Sequence, residues 1–154
     1  MARAYFGNLG AFLDMIAVSE GTAGKGDEGY NVLVGGALFS PYSDHPRTLV
    51  YLPSLNISSS AAGRYQVLAH NYDAYKLILG LPDFSPESQD KIAVQLITEC
   101  SALADIDAGN IESAITKCAS RWASLPGAGY GQHEQKMAYL VAAYKNAEGT
   151  IAVA

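Results

Sequence analysis

The chain contains no run of the roughly 18 apolar residues that a membrane-spanning helix needs, so no insertion into a membrane is expected. It has two cysteines, Cys100 and Cys118, and no Cys-x-x-Cys pair, which leaves a zinc or dithiol redox motif without support. The expected state is two buried thiols in a reducing compartment, with a single bridge between neighbouring helices as the alternative. Three histidines, His45, His70 and His133, show no metal-ligand spacing, and neither a metal nor a cofactor is predicted. There is no Gly-x-Ser-x-Gly elbow, and no lysine follows the glycines at Gly127–Gly131 as a phosphate-binding loop requires. Positive charge is scarce. Ten Lys and Arg stand against 15 Asp and Glu, a net −5 that gives no attraction for nucleic acid or an anionic membrane. The early stretch Tyr5–Val18 is fairly apolar, but Asn8 and Asp14 interrupt it. Arg3 is its only leading cation and no small-residue cleavage site follows, so a core helix is expected rather than an export signal.

What remains is a globular composition. With 154 residues and 49% apolar content, a single domain over residues 1–154 can bury a real core. Fifteen glycines imply many turns, and ten tyrosines supply flat amphipathic faces for a core or for sugar rings.

The first helix is predicted from Asn8, as N-cap, to Ser19, with Phe12, Leu13, Ile16 and Ala17 on one face and Gly21 as the stop. Tyr30–Val34, Gly35-Gly36 and Ala37–Phe39 read as a hairpin. Ser40–Ser60 carries three prolines and reads as irregular, apart from a short strand at Leu49–Leu52 and a flap at Tyr51–Ser60. A second helix is predicted from Gly63 to Leu79, with Tyr65, Leu68, Tyr72, Tyr75 and Leu79 as a core stripe. Ser85-Pro86-Glu87 is a helix start, and the apolar helix after it is expected to be central. A shorter helix with Ile111, Ala114, Ile115 and Cys118 follows, and a last one runs from about His133 to Ala147. About five helices with one small antiparallel sheet make an α+β chain.

Among the carboxylates, Glu20 stands out. It ends an apolar helix beside glycine, where a core meets a groove, and partial burial there raises a carboxyl pKa toward the range of a general acid. Glycosidases use such an acid, usually with a second carboxylate about 5–9.5 Å away. Asp27, Glu28 and Asp44 are candidates for that partner, but the first two read as solvated loop residues and Asp44 as a turn cap. The spacing of Glu20 alone also fits a merely solvated helix end.

Several ordered stretches lift Glu20 above that reading. They are Ala11–Met15 with Ser19-Glu20-Gly21-Thr22, Gly29-Tyr30, Val34-Gly35-Gly36 with Leu38-Phe39, Tyr42–Arg47, Ala62–Gln66, Asp83–Pro86 and Trp122–Gln132. Together they resemble the endolysins of lambdoid phages, which are lytic transglycosylases, from about Ala11 to Gly149. The resemblance implies a lysozyme-like α+β fold, with the active-site cleft between a helical lobe and a small antiparallel sheet. It implies a peptidoglycan glycan strand as substrate, cut between N-acetylmuramic acid and N-acetylglucosamine. It places the catalytic acid at Glu20 and substrate contacts at Tyr30, Asn31, Gln66, Tyr130 and Gln132. Two mobile lips are implied near Tyr51–Ser60 and Ala128–Glu134. Two positions depart from the family pattern: Asn31 stands where an aspartate is expected, and Val18 where a tryptophan is. The resemblance further implies a monomer in the host cytoplasm that reaches the periplasmic wall with the help of a holin-type permeabilising protein. Other readings stay open at this point: a muramidase using water activated by Asp44 or Glu28, a glycan-binding module without catalysis, or a structural phage protein.

Overall fold

The computed structural model describes residues 1–153. The elements run α1 (Gly7–Glu20), β1 (Val50–Leu52), β2 (Ile57–Ser59), α2 (Ala69–Leu79), α3 (Pro86–Glu99), α4 (Leu103–Ala108), α5 (Ile111–Cys118) and α6 (Met137–Asn146). The fold is α+β, as the sequence predicts.

The central helix is α1 rather than α3. From Asn8 onward α1 has no exposed residue, whereas α3 keeps Glu87, Lys91, Thr98 and Glu99 in solvent. Phe12, Leu13, Met15, Ile16 and Ala17 are fully buried, and a helix apolar on every side belongs inside. Each such large side chain contributes about 1.5–3 kcal/mol on burial. Helices α4 and α6 cover α1, α5 packs on both of them, and α2 packs on α3.

Local signals account for several boundaries. Gly21 and Gly80 end their helices in the left-handed conformation, at φ 76° and 63°. The Ser85 side chain accepts the Ser88 N–H, and Pro86 opens α3. Asn8 is not the N-cap of α1. Phe6 holds that place, and the Asn8 side chain instead donates to the Ile106 carbonyl and accepts from the Thr150 backbone N–H and hydroxyl. This ties α1 to α4 and to the C-terminal segment.

The sheet also lies elsewhere than predicted. Asn31–Phe39 turns back on itself through Leu33 N–H to Ala37 O (2.7 Å) and Phe39 N–H to Asn31 O (2.9 Å), but forms only a single bridge, Val32 to Leu38. Its other edge is taken by a different segment: Val34 N–H donates to Ala61 O and Gly63 N–H to Val32 O. The antiparallel pair is β1–β2, with Val50 opposite Ser59 and Leu52 opposite Ile57; β1 falls on the short strand predicted at Leu49–Leu52, and β2 lies in the segment predicted to be a flap.

Helix α2 begins at Ala69, six residues later than predicted. The residues before it form a tight turn in which Ala62 and Val67 exchange backbone hydrogen bonds. Gly63 and Gln66 both take positive φ, 83° and 54°, which a helix does not allow. Of the predicted stripe, Tyr65, Tyr72 and Tyr75 are buried in the core, while Leu68 and Leu79 are half-buried. Both cysteines are free thiols, Cys118 fully buried. No helix among the described residues is long and apolar enough to cross a membrane.

Candidate active site

A cleft of about 330 Å³ separates the β1–β2 hairpin from the helices. Leu52, Ile57 and Ser59 line one wall; Tyr75, Ile92 and Leu96 line the other. Glu20 and Gln66 sit in the same cleft, with Trp122, Ala123 and Gln132. It is not the largest hollow. One of about 570 Å³ lies behind α1 between Met1, Asp14, Glu28 and Glu148, without Glu20.

Each residue of Ser19-Glu20-Gly21-Thr22 has a separate task. The Ser19 hydroxyl is 2.7 Å from that of Ser124, which joins the end of α1 to the segment after Trp122. Gly21 ends the helix, so the chain turns away directly after Glu20. Thr22 is buried and its hydroxyl donates to the Arg64 carbonyl at 2.6 Å. Glu20 is left in the cleft. Burial raises its carboxyl to a pKa of about 7, and the Ser124 hydroxyl acts weakly in the opposite direction. A carboxyl poised there keeps a large share of its protonated form near neutral pH, as a general acid must.

Gln66 is held from both sides. Its amide donates to Gly63 O at 2.9 Å and to Val32 O at 3.2 Å. Both N–H groups are thereby used, and Oε1 remains as an acceptor with no protein partner among the described residues. A non-glycine residue at φ 54° costs about 1–3 kcal/mol, a strain that persists only where the surroundings over-determine it. Here they do. Arg64, only 2% exposed, pairs with Asp14 at 2.7 Å and donates to the Glu28 carbonyl and the Tyr65 hydroxyl. The Arg64 N–H is taken by Gln89, and the Tyr65 hydroxyl donates to Asp90. Trp122 adds its indole N–H to the Tyr65 carbonyl at 3.1 Å.

The structure thus brings Glu20, Gln66 and Gln132 together, but not the other predicted contacts. Tyr30 is a correction. It is fully buried, its hydroxyl donating to Asp90 and its ring flanked by the guanidinium groups of Arg3 and Arg64, so it offers a sugar no surface. Asn31 is outside the cleft lining, and its side-chain oxygen accepts the Asp27 N–H at 2.8 Å, closing the glycine-rich loop. Tyr130 is 56% exposed but also outside the cleft lining, its hydroxyl bound to the Ser120 carbonyl. That leaves its segment held by Glu134, which accepts the N–H groups of Gly127 and Gly129.

The carboxylates proposed to activate water are elsewhere too. Asp44 pairs with Arg47 and lines a different hollow, and Glu28 lies near the chain start behind α1. No carboxylate besides Glu20 lines the cleft among the described residues. His45 is structural. One ring nitrogen bonds the Val67 carbonyl and the other accepts the Arg47 N–H, so the ring is neutral, and burial lowers its pKa. No cluster of metal-ligating side chains occurs among the described residues.

Reading the sequence alone missed Ser124, Asn71 and Arg121 as parts of this site. Ser124 lies inside the Trp122–Gln132 stretch, which was a usable signal; Asn71 and Arg121 had none.

Known proteins resemble this chain over most of its length. The Endolysin family matches residues 10–151. The endolysin of Escherichia phage lambda is 54% identical over 145 residues, covering 92% of this chain and 91% of its own length. The endolysin of Escherichia phage P2 is 49% identical, covering 92% and 93%. A solved structure of bacteriophage lambda lysozyme complexed with a chitohexasaccharide superimposes with a TM-score of 0.91 at 51% identity, covering 97% of this chain and 99% of that one. A second structure of the lysozyme from bacteriophage lambda gives 0.85 at 52% identity, with the same coverage. A lysozyme-like fold, a matched family profile and relatives alike over nine-tenths of their length lead to one conclusion: the chain belongs to the endolysin family.

Proposed function

We propose that this endolysin degrades peptidoglycan as a lytic transglycosylase, with Glu20 serving first as acid and then as base. The observation that carries the reading is a single carboxyl in the cleft, raised to about 7 and without a second carboxylate beside it. Protonated Glu20 gives its proton to the oxygen between N-acetylmuramic acid and N-acetylglucosamine, and the β-1,4 bond to muramyl C1 breaks. The muramyl ring passes through an oxocarbenium-like state. The C6 hydroxyl of the same sugar attacks C1 and returns its proton to the Glu20 carboxylate. The products are a 1,6-anhydromuramyl end and a free N-acetylglucosamine end, with no water consumed. An internal nucleophile enjoys a large effective concentration, which is why one carboxyl suffices.

Gln66 presents Oε1 to the N–H of an acetamido group, and Gln132 adds a polar contact from the facing segment. A glycan of β-linked N-acetyl sugars is consistent with the chitohexasaccharide held by the lambda lysozyme. The enzyme works as a single-domain monomer. It is made in the host cytoplasm and acts on the periplasmic wall once a holin-type protein has opened the membrane. Family membership supports this part of the reading.

The direct test is Glu20→Gln, assayed by the fall in turbidity of chloroform-treated Gram-negative cells. The variant folds normally and loses at least about 10²–10⁴ in rate. Near-normal lysis would overturn the assignment.

A further inference from the structure

Glu20 and Arg121 are the only charged residues lining the cleft among those described. The bond-breaking steps use Glu20 and leave Arg121 without a task. The cation is unexpected there, because the chain carries a net −5 and the sugar rings of a glycan are neutral.

The surroundings of Arg121 hold it in place without consuming it. Its Nη2 donates to Glu99 Oε1 at 2.5 Å, and its Nη1 reaches the Tyr75 hydroxyl at 3.5 Å. Tyr75 donates to the same Glu99 oxygen at 2.7 Å, and Gln95 donates to the other at 3.0 Å. Glu99 does not line the cleft; it stands behind, at the end of α3, and these donors hold its carboxyl below the usual carboxylate range. The guanidinium has five N–H donors in a planar fork. The two bonds to Glu99 and Tyr75 take one N–H each from Nη2 and Nη1, and Nε has no protein partner among the described residues. Arg121 lines the cleft with its side chain 37% exposed, so its remaining N–H donors are available to a ligand there. A fixed guanidinium edge is suited to one class of ligand group above others, the planar carboxylate.

Peptidoglycan differs from chitin in having such groups. Its muramyl sugar carries a lactyl arm, which ends in a carboxylate when bare and in a peptide bearing carboxylates when substituted. We propose that Arg121 is a specificity residue that binds a carboxylate of this muramyl arm, with Glu99 and Tyr75 as positioning residues behind it. This deepens the transglycosylase reading and rests on it. The consequence is an endolysin that distinguishes wall glycan from an arm-free chain of N-acetylglucosamine.

The test measures binding in the Glu20→Gln background, so that affinity is read without cleavage. Three probes are titrated against Glu20→Gln and against Glu20→Gln with Arg121→Gln: uncrosslinked strands bearing peptide stems, the same strands stripped of peptide by an amidase, and chitohexasaccharide. The expected result is a loss of affinity of roughly tenfold on at least one arm-bearing strand and no change on chitohexasaccharide. Loss confined to stem-bearing strands identifies the peptide carboxylates as the ligand. Loss confined to stripped strands identifies the lactyl carboxylate, and loss on both identifies the arm in either form. Arg121→Lys in the same background, with the charge kept and the fork lost, retains part of the affinity. Equal affinities for all three probes, or an equal loss on chitohexasaccharide, overturn the proposal, the second by showing a purely structural role. Failure of the transglycosylase reading is seen separately, as cleavage by the Glu20→Gln protein or as hydrated products from the unmodified enzyme.

Discussion

The hydroxyl of Thr22 donates to the carbonyl oxygen of Arg64 at 2.6 Å, joining the residue two places after Glu20 to the residue two places before Gln66. Glu20 and Gln66 come from segments far apart in the chain, and this buried bond ties those segments together. Thr22→Val keeps the shape and removes the donor, leaving the Arg64 carbonyl unsatisfied. The expected cost is about 1–3 kcal/mol, a fall in Tm of several degrees for a chain of this size, and Thr22→Ser recovers most of it. Thermal unfolding of the two variants checks this.

The turn before Gln66 tolerates no side chain at Gly63. Its φ is 83°, and an added Cβ would lie 2.4 Å from Gln89 Oε1 and 3.1 Å from the Phe84 ring. Gln89 cannot simply move, because the same amide holds the Arg64 N–H and the Tyr30 and Phe84 carbonyls. Gly63→Ala is expected to lose more than about 2 kcal/mol in denaturant unfolding, through backbone strain and broken buried hydrogen bonds. Stability equal to the parent protein would mean that the turn is not over-determined as described.

The raised pKa of Glu20 has two consequences of definite sign. Catalysis needs the proton, so kcat/KM falls about tenfold per unit as pH rises above about 7. Stability follows linkage. The folded state holds the proton to about 7, whereas the unfolded chain releases it near 4.5, so the contribution of Glu20 is fully favourable below 4.5 and is lost as pH rises to about 7. Glu20→Gln cannot ionise and escapes that loss. It is expected to be more stable than the parent at pH 8, by on the order of 1–3 kcal/mol because the side chain keeps an edge in the cleft, and equal to it near pH 4. Parallel thermal melts at the two pH values check both sign and window.

Much of this architecture is legible in the residues, and the parts that are not share a cause. Helix ends set by neighbours in sequence, such as Ser85-Pro86 and Gly80, appear where predicted because cap and stop act locally. The errors arise where distant partners win. Asn8 is a good cap by type, but Ile106 and Thr150 claim its side chain. Gly63–Gln66 has the composition of a helix start, yet Thr22, Gln89 and Asp90 hold it as a turn. Within that stretch Arg64 is paired inside the protein by Asp14 and the Glu28 carbonyl, partners that nothing in its local sequence announces. Tyr30 lies next to a recognisable motif, and nothing local reveals that the chain start folds over it, with the Arg3 N–H on its hydroxyl. Glu20 ends an apolar helix before glycine, a local signal that also fits a solvated helix end; the ordered stretches along the rest of the chain are what single it out.

The fate of the muramyl C1 tests the chemistry most directly. Purified peptidoglycan digested to completion is analysed by mass spectrometry of the released muropeptides. A lone Glu20 acting as acid and then base predicts products ending in 1,6-anhydromuramic acid, each one water lighter than the hydrolysis product. Muropeptides carrying the full mass of added water would contradict it and require a water-activating group that the cleft does not contain among its described residues.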